Sequence, residues 1–153
     1  MTHYRISAVV GLMCCVSVGC SSPTSPVDEQ ALGRAEARWA ARAFDSYAYE
    51  IVSICGECAP SVARSTRVEV RDGKVTAARV VANDSLLPTV ASYTTVDGLF
   101  AQIRSYARGS LVKEVRVTYD PRLGYPTSID VFAKEGVADG DFGKRISNLV
   151  SAP

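Results

Sequence analysis

The sequence predicts an α+β domain: a small antiparallel sheet of five or six strands with two helices packed on one face, in the order α-β-β-β-α-β-β. Three observations carry this. Two stretches, Ala31 to Phe44 and Val96 to Ala107, place apolar residues at helical spacing. Several shorter runs alternate apolar and polar residues with the period of two that a half-buried strand requires. The connections between those runs are short and rich in turn residues, which joins antiparallel neighbours and leaves one apolar face for the helices.

The elements follow in chain order. Asp28 is placed to cap the first helix, with Glu29 in its first turn, where the helix dipole favours an acid. Leu32, Ala35, Trp39 and Ala43 form its apolar stripe, and Trp39, the only tryptophan, is its core anchor, with a ligand platform as the other role open to it. Asp45-Ser46 ends the helix, and the first strand sets Tyr47, Tyr49 and Ile51 on one face against Ala48, Glu50 and Val52 on the other. Cys55-Gly56-Glu57-Cys58 makes a turn, Ala59-Pro60 breaks the strand pattern, and a second strand is expected from Val62 to about Arg71. Asp72-Gly73 is a two-residue hairpin signal, because such turns need positive φ. Counting outward from it pairs Val70 with Val75 and Val68 with Ala77. This third strand ends near Val81.

After a loop from Asn83 to Ser92, Thr94 or Thr95 caps the second helix. Its stripe of Val96, Leu99, Phe100, Ile103 and Ala107 is regular, Arg104 and Arg108 suit its last turns, and Gly109 stops it. Val112 to Tyr119 forms a fourth strand with Val115, Val117 and Tyr119 on one side. A turn-rich loop from Asp120 to Pro126 leads to a fifth strand over Thr127 to Ala133. Phe142 to Val150 is a candidate sixth strand.

Ahead of this domain the chain reads as an export signal. His3 and Arg5 form a basic start, and Ile6 to Val18 an apolar run too short to cross a bilayer, which takes about 20 residues. The run ends Ser17-Val18-Gly19-Cys20-Ser21-Ser22, which resembles the lipobox of bacterial lipoproteins, with Ser17 where that family has leucine. What the resemblance implies is cleavage before Cys20 and acylation of it. The organisation is then a lipoprotein signal peptide over 1–19, a Ser/Pro tether over 20–27 and one α+β domain over 28–153. Several acyl chains on one residue anchor stably where a single chain would not. The expected location is extracytoplasmic, anchored to the cell membrane or the outer membrane.

The 153 residues carry 17 basic and 16 acidic side chains, and losing Arg5 with the signal balances them. No basic face calls for nucleic acid. Cys14 and Cys15 leave with the signal and Cys20 is acylated, so Cys55 and Cys58 are the two thiols left in an oxidising compartment, which favours pairing them. A redox motif would need a helix behind its first cysteine, and here Ala-Pro and a strand follow. A zinc site would need further ligands, and the only histidine is His3. The reading is a disulfide staple; the alternative is a thiol-redox or metal-binding protein using Cys55 and Cys58. Asp139-Gly140-Asp141 lacks the spaced oxygens of a calcium loop, and no histidine remains to serve as base for a serine nucleophile. No enzyme, metal or cofactor is expected, and the domain is expected to be a monomer. Tyr47, Tyr49, Tyr119 and Tyr125 are candidates for a binding surface, since tyrosine joins an apolar body to a polar tip, although sheet packing uses them equally well.

Trp39, Ser46-Tyr47-Ala48-Tyr49, Cys55-Gly56-Glu57-Cys58, Val70 to Val75, Thr95 to Phe100 and Tyr119-Asp120-Pro121 with Gly124-Tyr125-Pro126 occur in one order. In this the chain resembles the bacterial lipoprotein family catalogued as domain of unknown function 6174. The resemblance spans Trp39 to Ala133 and implies an exported, lipid-anchored domain with no assigned activity. A binding or envelope-associated module with an unknown protein or small-molecule partner is the expected function. An exported protein inhibitor is a third reading, resting on fold analogy alone.

Overall fold

A computed structural model describes residues 25–56, 59–60, 62–138 and 140–152. The signal region with Cys14, Cys15 and Cys20, and also Glu57, Cys58 and Asp139, lie outside them. Helix α1 spans Glu29–Ala40 and is followed by strands β1 (Tyr47–Cys55), β2 (Thr66–Arg71) and β3 (Lys74–Val80). Helix α2 (Val96–Ala107) leads to β4 (Val112–Tyr119), β5 (Pro126–Ala133) and β6 (Phe142–Ser151). The six strands form one antiparallel sheet in the order β3-β2-β1-β6-β5-β4. The expected α+β class holds, and the sixth strand is real. It is not a tail: β6 sits at the centre, joining a β1-β2-β3 meander to a β4-β5-β6 meander through its pairing with β1.

Local chemistry explains the ends of each element. The Asp28 carboxylate accepts a hydrogen bond from the Ala31 amide, and the Thr95 hydroxyl accepts one from Gly98, satisfying amides that a helix start leaves unpaired. Helix α1 stops at Ala40, so Ala43 falls beyond it and is exposed, where the sequence stripe had placed it inward. The Asp72-Gly73 turn has positive φ at both residues (47° and 70°), as the two-residue hairpin requires. Val70 pairs with Val75 as expected, but a bulge after Glu69 then moves Val68 opposite Ala78 and gives Ala77 to Glu69. One extra residue in β3 is enough to shift every pair beyond it. Strand β2 begins only at Thr66, because the chain folds back before it, with the Val62 amide donating to the Ala59 carbonyl at 2.8 Å; Val62 is exposed.

Both helices lie on one face of the sheet. Leu32, Ala35 and Trp39 from α1, and Val96, Leu99, Phe100 and Ile103 from α2, join Tyr47, Tyr49, Val68, Val70, Val115, Ile129, Val131 and Ile146 in one core. The helices are also bridged to each other, Arg104 reaching Glu36 and Glu29. Gly124 lets the β4–β5 loop press on α1: a side chain there would stand 2.2 Å from the Ala35 carbonyl, and its φ of 81° suits glycine. The opposite face carries its own ion pairs, Arg79–Glu69, Arg116–Glu114 and Arg145–Asp130, as a water-facing sheet surface should. The outer edge of β3 is covered in part where Leu87 and Ser85 bond back to Ala78 and Val80. At the other edge, the Pro26 carbonyl accepts from the Val115 amide at 2.8 Å and Val27 is buried. The last residues of the expected tether are therefore already part of the folded body.

Candidate functional site

The four candidate tyrosines meet different fates. Tyr47 and Tyr49 are 1% and 0% exposed, so they form no surface. Tyr47 stands edge-on to Trp39, with ring centroids 5.2 Å apart, and its hydroxyl accepts from the Val96 amide at 2.9 Å. The Tyr49 hydroxyl donates to the Thr94 carbonyl. The two rings thus pack the core while their tips tie the start of α2 to β1, which is why burial leaves them polar partners. Tyr119 stacks on Phe100, with centroids 6.3 Å apart and planes 18° off parallel, and its buried hydroxyl has no partner among the described residues. Burial, then the charges of Glu36 and Asp28, push its phenol up to about 12. Tyr125 is 8% exposed, and burial raises its phenol as well. Tyr47, Tyr49 and Tyr125 are core residues, and for them packing replaces the expected binding surface, whereas half-buried Tyr119 lines the cleft between residues 25–31 and β4. Trp39 is likewise the core anchor, under the Arg42 guanidinium at 4.1 Å.

Cys55 ends β1 and is exposed. Cys58, its expected partner, lies outside the described residues. Among the described residues, no group of three or more His, Cys, Asp or Glu side chains could hold a metal ion, and no helix is long and apolar enough to cross a membrane.

Beyond the cysteine turn, the chain builds a cavity. Beta strand β1 supplies Ile51 and Ser53 to its floor, the segment before and into β2 gives Val62, Arg64 and Thr66, and β6 gives Lys144. The loop between β3 and α2 closes it with Leu87, Pro88, Thr89, Ser92 and Tyr93. The space is about 280 Å³. Its lining is mixed, with Ile51, Val62, Leu87 and Pro88 set among the polar side chains. Buried Thr66 and the Tyr93 hydroxyl are within hydrogen-bond distance at 3.1 Å, and either can donate. A second open cleft, between residues 25–31 and the outer edge of β4, is larger, but Asp28 and Glu29 there already serve the start of α1.

Lys144 is the unusual member. Strand alternation places it on the core side with Phe142 and Ile146, opposite Ser53 of β1. Its ammonium donates to Gln102 Oε1 of α2 at 2.6 Å and stands 6.0 Å from the Tyr106 ring. No carboxylate among the described residues pairs with it, and burial lowers its pKa. A half-buried ammonium held by a neutral amide keeps donors in hand for an incoming acceptor. Sequence reasoning missed this lysine and the cavity. One signal was present: Phe142-Gly143-Lys144-Arg145-Ile146 puts a cation between two apolar residues on the same strand face.

Comparison with known proteins names no ligand. No curated protein and no solved structure matches the chain. Residues 31–151 match the model of the family described as "Family of unknown function (DUF6174)", and the chain belongs to that family.

Proposed function

We propose that this family member is an exported, lipid-anchored module of the bacterial envelope that binds a small molecule and catalyses no reaction. The observation that carries the binding part is the cavity beside Lys144, in which apolar side chains stand among polar groups able to orient a ligand. The anchoring part rests on the sequence: the apolar run, the small residues before Cys20 and the Ser/Pro stretch after it. Cys55 and Cys58 then form a staple at the end of β1, steadying the segment that brings Val62 and Arg64 to the cavity. Closing so short a loop removes little chain entropy, so its value lies in local shape more than in global stability.

The test has three parts. Cys20→Ala should move the protein from the membrane fraction to the soluble one, and an unchanged membrane fraction would sink the anchor. A defined pool of small metabolites with apolar bodies should raise the melting temperature, since a ligand at a hundredfold its Kd stabilises by about 2.7 kcal/mol. Ser92→Trp, at the cavity rim, should remove that rise. No rise with any member of the pool would overturn the binding reading. Alkylation of Cys55 and Cys58 should require prior reduction; ready labelling of both in the folded protein would favour the redox or metal alternative.

A further inference from the structure

We propose that the cavity selects a carboxylate with a compact apolar body, held by the Lys144 ammonium, which Gln102 orients. This rests on the cavity being a binding site and adds the chemical class of its ligand. The first ground is charge. Three cations on the open face of the sheet are matched within the fold, Arg79 by Glu69, Arg116 by Glu114 and Arg145 by Asp130. Lys144, on the helix-bearing face, has only the Gln102 carbonyl oxygen as acceptor among the described residues. An ammonium has three donors, so two remain for a ligand. Arg64, at the exposed rim, adds a second positive charge, and the described lining contains no carboxylate. An anion entering here meets positive charge from Arg64 and Lys144.

The second ground is shape. Ile51, Val62, Leu87 and Pro88 offer apolar contact to whatever lies behind the anionic group. A space of about 280 Å³ lies at the small end of ligand sites, which favours a compact body over a long acyl chain or a nucleotide. A sequestered ammonium beside apolar side chains suits an anion that carries an apolar body, which inorganic phosphate lacks. Ligand discrimination at such a site comes from the buried group: an uncharged isostere leaves the ammonium partly desolvated without an anion to compensate it.

The experiment is calorimetric titration of the full chain with phenylacetate, phenylacetamide and inorganic phosphate, and with straight-chain carboxylates from butanoate to decanoate. Phenylacetate should bind at least tenfold more tightly than its amide and than phosphate, and the chain series should peak before decanoate. Lys144→Met keeps the apolar stem and should erase the preference for the acid while leaving amide binding unchanged. Gln102→Glu, which sets a competing carboxylate on the ammonium, should weaken phenylacetate at least tenfold without touching the walls. Equal affinity for acid and amide would overturn the assignment to Lys144 yet leave a binding cavity standing. Failure of every probe would overturn both. Tighter binding of phosphate, or affinity still rising at decanoate, would overturn the compact carboxylate; the latter outcome would point to a lipid-derived chain rather than a free metabolite.

Discussion

The two ends of β1 differ more than any other pair of regions in the molecule. At its start, Tyr47 and Tyr49 lie under α1 and the first turn of α2, in contact with Trp39 and bonded to Val96 and Thr94. Toward its end, Ile51 and Ser53 floor an open space, and Ile54 and Cys55 are exposed. One strand thus passes from a dry, filled core to an unfilled polar cavity within seven residues or so. The helices are the reason. They cover the part of the sheet reached by Leu32, Trp39, Leu99 and Phe100; beyond it α2 reaches Lys144 and Phe142 of β6, and the cover over the end of β1 comes from loops. Filled packing stabilises, and a gap floored by polar groups is where a ligand can take the place of side chains.

Alkaline pH should break the packed end most completely. Burial raises the phenols of Tyr47, Tyr49, Tyr106, Tyr119 and Tyr125, so each favours the folded state while it stays protonated. That stability is fully present below the ordinary tyrosine value near 10, and is lost as pH rises through the folded values, about 12 for Tyr119. The tyrosinate absorbance should therefore rise together with loss of far-ultraviolet circular dichroism. Independent ionisation of these tyrosines in a folded chain would show that they are not buried.

Phe100→Ala comes next, at about 3–5 kcal/mol by denaturant midpoint, because it empties space against Tyr119. The matching change at the other end, Leu86→Ala, should cost within about 0.5 kcal/mol, since that side chain is 60% exposed. Equal losses would erase the contrast. Tyr49→Phe keeps the ring but leaves the Thr94 carbonyl without its donor, a loss of about 1–3 kcal/mol. Lys144→Met should be the smallest, near zero or slightly stabilising, because it removes an ammonium that burial disfavours. A loss above about 2 kcal/mol by chemical denaturation would make Lys144 a structural residue and not a group held in reserve.

The packed end was legible in the sequence and the cavity was not. Trp39, the Val96–Ile103 stripe and the Val112–Tyr119 alternation are local patterns, and each element formed where its pattern lies. Tyr47 and Tyr49 were readable as sharing one strand face, but not the depth to which two separate helices bury that face. The Val68–Ala77 pairing failed because a bulge leaves no mark in an alternating run. The central place of β6 rests on pairings such as Tyr47 with Ser151, which no hairpin count reaches. The cavity needs that pairing, since Lys144 meets Ser53 and Gln102 only once β6 lies beside β1 and under α2.

The seam between β1 and β6 has a consequence for how the chain folds as it is made. Strand β6 is synthesised after every other strand, yet it completes the middle of the sheet. Until it arrives, β1 and β5 each present a bare edge, the kind of surface that pairs with other chains. Contacts between residues this far apart in sequence also form slowly, because a long loop must close before they give anything back. The β1-β2-β3 meander and the β4-β5 hairpin can assemble early as separate local units, and their union waits for the last strand. Factors that shield the growing chain would matter most in that interval, when the sheet is open at its centre and closed at its rims.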